Sequence, residues 1–240
     1  MPDYSGPAHT LVLVHGAWHG AWCWQYVLAH LHQQGCRVRT VELPSVGAAP
    51  GSNIDLSADA AAVRAAIASV DGPVVLCGHS YGGMVITHAA ASNPQVNRLV
   101  YLCAFVPQRG ESLQDLGGGQ LAPWIQRLEG GLTLPDPSLS AALFYGDCDL
   151  PTQQWALALQ RPQCEAPFAE PVIEPPSPQL FSTYVVCTQD GALPRDVQRQ
   201  RFAPRTHRVV ELDASHSPFL SRPADLAGLL ATEARAAARD

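Results

Sequence analysis

The run from Pro73 to Met84 reads Pro-Val-Val-Leu-Cys-Gly-His-Ser-Tyr-Gly-Gly-Met and sets Ser80 inside a Gly-x-Ser-x-Gly pattern. A serine hydroxyl attacks a carbonyl only when a nearby base takes its proton, and the base needs a third group to hold its tautomer and stabilise its cation. Small residues on both sides of the nucleophile let the chain double back tightly, and Gly78, Gly82 and Gly83 give that clearance. Of nine histidines, His216 stands in a loop after the last strand-like run, where such a base belongs. Asp190 follows the run Val185-Val186-Cys187 by three residues and suits the orienting acid. Its rivals are Asp196 and Asp213, the latter three residues before His216 and strained in reaching the far ring nitrogen. The chemistry of such a set is acyl transfer, which also needs N–H donors for the oxygen that turns negative. The N–H of Tyr81 is one candidate, and that of Ala17 in His15-Gly16-Ala17-Trp18 is the other, with Gly16 allowing close backbone approach.

These groups are far apart along the chain, so a frame must gather them. Thr10 to Val14 reads as a buried strand, and Ala21 to Gln34 as a helix with Trp24, Val27, Leu28 and Leu31 on one face and Gly35 as its stop. A strand from Arg37 to Leu43 and a Pro/Gly-rich loop to Asn53 follow. Ser57 is expected to cap a helix whose inner face is Ala60, Val63, Ile67 and Val70. The serine's strand, a helix to about Asn93 and a strand from Arg98 to Val106 continue the alternation. Apolar strands alternating with helices predict an α/β fold with a parallel sheet covered on both faces. The rhythm fails over residues 107–178, which are crowded with proline and carry Trp124 and Trp155. This predicts a core of residues 1–106 and 179–240, with 107–178 as a cap over the carboxyl ends of the strands. Strands at Ser182 to Cys187 and Arg208 to Leu212, a polar helix from Arg195 to Phe202, and an amphipathic helix after Pro223 with Leu226, Leu229 and Leu230 inward complete the core.

A net charge of −6 with no local cluster of Arg excludes a nucleic-acid footprint. Seven cysteines, four of them (Cys36, Cys77, Cys103, Cys187) in or beside apolar runs, read as small buried hydrophobes in a reducing, cytoplasmic setting. Met1 to Gly6 lacks the basic and apolar regions of a leader, and no run approaches the ~18 apolar residues of a membrane span. His15 with His19, and His30 with His32, have no Glu or Cys to complete a ligand set, so neither metal nor cofactor is expected. His79 and His88 are expected to be structural hydrogen bonders and Trp22 and Trp24 core residues. Gly16, Trp18 and Trp124 are the candidates to touch substrate. The expected partner is a small molecule, neither nucleic acid nor membrane, and a homodimer is left open.

Residues 11–22, Leu-Val-Leu-Val-His-Gly-Ala-Trp-His-Gly-Ala-Trp, together with Gly78 to Gly83, Cys187 to Asp190 and the His216 loop, resemble the α/β-hydrolase superfamily. The likeness is to the branch holding plant methylesterases, salicylate-binding esterases and hydroxynitrile lyases with bacterial esterase relatives. Phe144 to Cys148, Trp155 to Ala158 and Arg161 to Gln163 carry it into the insertion. The resemblance implies a mainly parallel six-stranded sheet, a cap after the fourth strand, and Asp190 as the acid. Lyases of that branch place a lysine directly after the catalytic histidine and a threonine in the oxyanion loop, where this chain has Ser217 and Gly16. The resemblance therefore implies a cofactor-free hydrolase of small or medium carboxylic esters, methyl or aryl esters among them, acting through an acyl-enzyme on Ser80. A hydroxynitrile lyase and a ligand-binding member that does not use the triad are the alternatives.

Overall fold

The computed structural model describes residues 9–238, so the Met1 to Gly6 stretch read for a leader lies outside the described residues. The first part of the chain forms β1 (Thr10–Val14), a 3-10 turn (Ala21–Trp24), α1 (Gln25–Gln33), β2 (Arg37–Val41), α2 (Leu56–Ala68), β3 (Val74–His79), α3 (Gly82–Ala90) and β4 (Val96–Leu102). An insertion follows, with α4 (Leu113–Leu116), β5 (Ile125–Leu128), β6 (Leu132–Pro135), α5 (Pro137–Phe144), α6 (Leu150–Leu159), β7 (Gln163–Cys164) and α7 (Ala166–Ala169). The chain ends with β8 (Ser182–Cys187), α8 (Arg195–Val197), a π turn (Gln198–Phe202), β9 (Arg208–Leu212), α9 (Pro218–Ser221) and α10 (Pro223–Ala237).

The main sheet has six strands in the order β2-β1-β3-β4-β8-β9, and every neighbouring pair is parallel. β1, β3 and β8 are buried along their whole length, as continuous apolar strands between two helical layers must be. At the edges, β2 and β9 expose Arg37, Arg39, Arg208 and Glu211, charges that discourage pairing with another chain. Helix α1 packs with α10, and α2 with α3. From α10, Leu226 and Leu230 are fully buried, each worth about 1.5–3 kcal/mol of transfer free energy, and Glu233 pairs with Arg98 at 2.9 Å and Arg208 at 3.0 Å.

The strand order places the site. From β1 the chain steps outward to β2 and then crosses back to β3 on the other flank of β1, so the order reverses between β1 and β3. Loops leaving the carboxyl ends of two such strands diverge and leave a crevice. The loop of Gly16 and Ala17 follows β1, and Ser80 follows β3.

Several boundaries differ from expectation. The first helix opens as a 3-10 turn and becomes α-helical only at Gln25, and β4 starts at Val96 and ends at Leu102. At the residue after β4, Cys103 takes φ = 35°, which turns the chain out of the sheet. The cap of α2 is Asp55, not Ser57: the Asp55 carboxylate accepts from Ala58 N at 2.9 Å, while the Ser57 hydroxyl donates to Glu170 at 2.5 Å. The insertion holds more order than short helical patches, since β5, β6 and β7 form an antiparallel sheet of their own.

Candidate active site

Ser80 sits at φ = 52°, in the left-handed region that a residue with a Cβ enters at a cost of about 1–2 kcal/mol. The turn is held by three backbone bonds: Ser80 N–H donates to Leu102 O (3.2 Å), and Gly83 and Phe105 N–H donate to Ser80 O (3.0 and 3.2 Å). The glycines are required by space. A Cβ on Gly82 would lie 2.7 Å from His15 O, and one on Gly78 or Gly83 would strike the backbone of Gly82 or Phe105. A Cβ on Gly16 would stand 2.7 Å from His79 Nδ1 and 2.9 Å from Ser80 Cβ, which fixes how closely the β1 loop approaches the serine.

His216 is buried and its Nδ1–H donates to Asp190 Oδ2 at 2.7 Å, so the lone pair of the neutral ring lies on Nε2. Asp190 is held in turn. Its Oδ1 accepts from the N–H groups of Ala192 and Leu193, both at 2.8 Å, and its Oδ2 from Gln198 Nε2 at 3.0 Å. The π turn lets Gln198 reach inward, where it also accepts from Cys187 N at 3.0 Å. The rivals stand apart: Asp213 is tied to Thr188 (2.9 Å) and Gln189 (2.7 Å), and Asp196 is exposed.

The loop carrying His216 is gripped from two sides. From β3, His79 Nε2–H donates to His216 O at 2.8 Å, and its ring lies 4.6 Å from that of His216. This ring contact brings the residue before Ser80 against the imidazole. Among the described residues the Ser80 hydroxyl itself makes no hydrogen bond, a looseness common before substrate arrives. From the insertion, Asp147 accepts from Ser215 N at 3.0 Å and from the Ser215 hydroxyl, while Phe144 packs 5.6 Å from the His216 ring.

Tyr81 N–H and Ala17 N–H have no acceptor among the described residues. The Gly16–Ala17 peptide is oriented by His15, whose Nδ1–H donates to Gly16 O at 2.8 Å while its Nε2 accepts from Leu43 N at 3.1 Å. Since the two ends of a peptide point in opposite directions, fixing this carbonyl aims the Ala17 N–H. Burial pushes His15 down to about 4, His19 to about 3 and His79 well below the usual imidazole range, so all three rings are neutral.

Trp18, expected at the substrate, is buried with φ = 61°, and its indole donates to Thr133 at 3.1 Å. Its ring meets Trp124 at 5.7 Å, Phe144 at 6.1 Å and Phe168 at 5.8 Å. Trp24 is core as expected. Trp22 is only partly buried, wedged between His19 and Trp155 at 5.4 and 5.2 Å. His79 and His88 are hydrogen bonders, the latter to Ser57 at 3.3 Å. One group of metal-type side chains converges among the described residues, His79, Cys103 and His216. His79 and Cys103 already share the His216 carbonyl, and burial pushes the Cys103 thiol well up, away from the thiolate a metal needs. Two surface cavities of about 490 and 410 Å³ lie elsewhere, and neither is lined by Ser80, Asp190 or His216. Sequence reasoning missed Gln198, whose inward reach depends on the π turn, and the Asp147–Ser215 contact, whose partners are 68 residues apart along the chain.

The sequence pattern of the alpha/beta hydrolase family matches residues 11–229. A carbendazim hydrolyzing esterase of Nocardioides sp. is 43% identical over 121 residues, 48% of this chain and 50% of that one. Longer matches are a pyrethroid hydrolase of Sphingobium wenxiniae, 30% identical over 95% of this chain and 88% of its own, and methylesterase 7 of Arabidopsis thaliana, 30% identical over 91% and 94%. The solved structure of a pyrethroid hydrolase from Sphingobium faniae JZ-2 superposes with a TM-score of 0.84 at 28% identity, covering 97% of this chain and 99% of that one. With the parallel sheet, the glycine-flanked serine turn and this match along most of its length, the chain belongs to the alpha/beta hydrolase family.

Proposed function

We propose that Ser80, His216 and Asp190 are the catalytic triad of a carboxylic ester hydrolase that works through an acyl-enzyme. The observation that carries this reading is the His216 Nδ1–H to Asp190 bond, which leaves Nε2 as the base on the ring that packs against the serine turn. Ser80 Oγ attacks the ester carbonyl carbon as its proton passes to His216 Nε2. The tetrahedral oxyanion takes hydrogen bonds from Ala17 N–H and Tyr81 N–H, and collapse expels the alcohol, which leaves with the proton from His216. Water, deprotonated by the same imidazole, then cleaves the acyl-enzyme and restores Ser80.

Residues 107–178 serve as the cap over the core of 1–106 and 179–240. Phe144 beside His216, with the Trp18 and Trp124 rings packed against it, favours an apolar acyl or aryl group, and Gly16 keeps its loop close to Ser80. Relatives named methylesterase and pyrethroid hydrolase fit a small or medium ester. Seven free cysteines support a reducing compartment such as the cytoplasm, and no described helix is long and apolar enough to cross a membrane. Lyase chemistry of the related branch is disfavoured, because the chain contains no lysine at all to hold a departing cyanide.

A panel of methyl and aryl esters, with mandelonitrile as the lyase substrate, tests this against Ser80→Ala. Ester turnover is expected in the wild type and a loss on the order of 10⁴–10⁶-fold in the folded variant. Turnover retained by the variant, or mandelonitrile cleaved in place of esters, would overturn the reading.

A further inference from the structure

The second helix buries a carboxylate that the triad does not use. Asp59 is fully buried, and three donors point at it: Ser45 N–H (3.0 Å) at Oδ1, and the Ser45 hydroxyl (2.6 Å) and Tyr81 Oη–H (2.6 Å) at Oδ2. Burying a carboxylate is costly unless donors replace its water, so its place needs a reason. Helix capping is not that reason, because Asp55 already serves Ala58 N–H, and Glu170 serves Leu56 and Ser57 N–H at 2.7 and 3.3 Å.

Two arms leave the carboxylate. One is the Tyr81 side chain, whose residue also carries a free backbone N–H beside Ser80. The other runs from the Ser45 hydroxyl, which accepts from Gln163 Nε2 at 2.9 Å, to Gln163 Oε1, which accepts from Trp18 N–H at 3.1 Å. That last bond pins the peptide directly after Ala17, where the chain turns through the left-handed φ of Trp18. The second arm is closed into a ring, since Trp18 Nε1–H donates to Thr133 Oγ1 and Thr133 Oγ1–H to Gln163 O, both at 3.1 Å.

We propose that Asp59 is a positioning residue that holds the residues carrying both oxyanion donors, Tyr81 directly and Ala17 through Ser45, Gln163 and Trp18. The inference rests on the hydrolase reading above. Its physical content is preorganisation: donors fixed before the reaction stabilise the developing charge without reorganising, and complete loss of one donor typically lowers kcat about 10²–10³-fold. Loosening both without removing either should act on the same quantity more weakly.

The test uses kcat, KM and inhibition by an arylboronic acid, which forms a tetrahedral adduct on the active serine and sets an oxygen among the oxyanion donors. Tyr81→Phe cuts one arm and Ser45→Ala the other, each by one oxygen atom, and Asp59→Asn weakens both. For Asp59→Asn, kcat is expected to fall about 10- to 100-fold with KM within about twofold, and boronate affinity to fall by the same factor as kcat. Each single-arm variant should show a smaller fall, and the Tyr81→Phe/Ser45→Ala double variant should match Asp59→Asn, keeping the test open if the latter fails to fold. A lowered Tm with unchanged kcat would overturn the proposal, as would a rise in KM alone or a fall in kcat that leaves boronate affinity intact. Failure of the underlying reading looks different, because wild-type protein would then neither hydrolyse esters nor bind the boronate.

Discussion

At the scale of single residues, the site depends on backbone atoms reaching places that a side chain would fill. Gly16 is the case that bears most directly on Ser80, because the nearest atoms to a new Cβ belong to the His79 ring and to Ser80 itself. The ring cannot swing aside without giving up its bond to the His216 carbonyl. Gly16→Thr is therefore expected to destabilise the fold by about 1–3 kcal/mol, as overpacking does, and to lower kcat as His216 shifts. Urea unfolding and ester turnover check this, and a variant matching the wild type in both would show that the loop has room to spare. The same contact explains why this chain has no place for the threonine of the lyase branch. The tight turn at Ser80 and the pairing of His216 with Asp190 were legible in the sequence, because each residue follows a strand end. Gln198 and Asp59 were not legible, because each acts through hydrogen bonds to partners whose nearness only the fold creates.

Among the elements, the turn between α5 and α6 reaches the His216 loop directly. It sends Asp147 to Ser215 and lays Phe144 against the His216 ring, so the insertion grips the loop that carries His216. Asp147→Ala removes both hydrogen bonds to Ser215 and should lower kcat about tenfold or more, since misplacing a catalytic group by about 1 Å can cost 10²-fold. Unchanged far-ultraviolet circular dichroism would show that the elements survive, and unchanged kcat would show that the β9–α9 loop holds itself. Element types followed from apolar periodicity along the parallel sheet. Boundaries did not, because they are set by side chains such as Asp55, which starts α2 ahead of Ser57. The antiparallel sheet of the insertion was hidden for a related reason. β5 and β7 are short, and β5 carries Arg127 and mostly exposed residues, leaving little apolar alternation to read.

For the whole molecule, the buried histidines set the response to acid. His15, pushed down to about 4, and His19, pushed down to about 3, are neutral when folded but would take up protons near 6.5 when unfolded. Their contribution is complete above pH 6.5 and is lost as pH falls from there toward those lowered values, on the order of a few kcal/mol each. Asp59, pushed up by burial, binds its proton more readily when folded and opposes this trend at the acid end. The urea midpoint should therefore drop clearly between pH 7.5 and pH 5, and a flat midpoint over that range would mean that the histidines are hydrated. Hydrolysis through an acyl-enzyme requires Ser80 Oγ to take the acyl group. Reaction with a serine-directed fluorophosphonate followed by peptide mass mapping tests this most directly. The adduct is expected on the peptide containing Ser80, absent in Ser80→Ala and strongly slowed in His216→Ala; an ester-hydrolysing protein labelled at another residue, or labelled equally without His216, would contradict it.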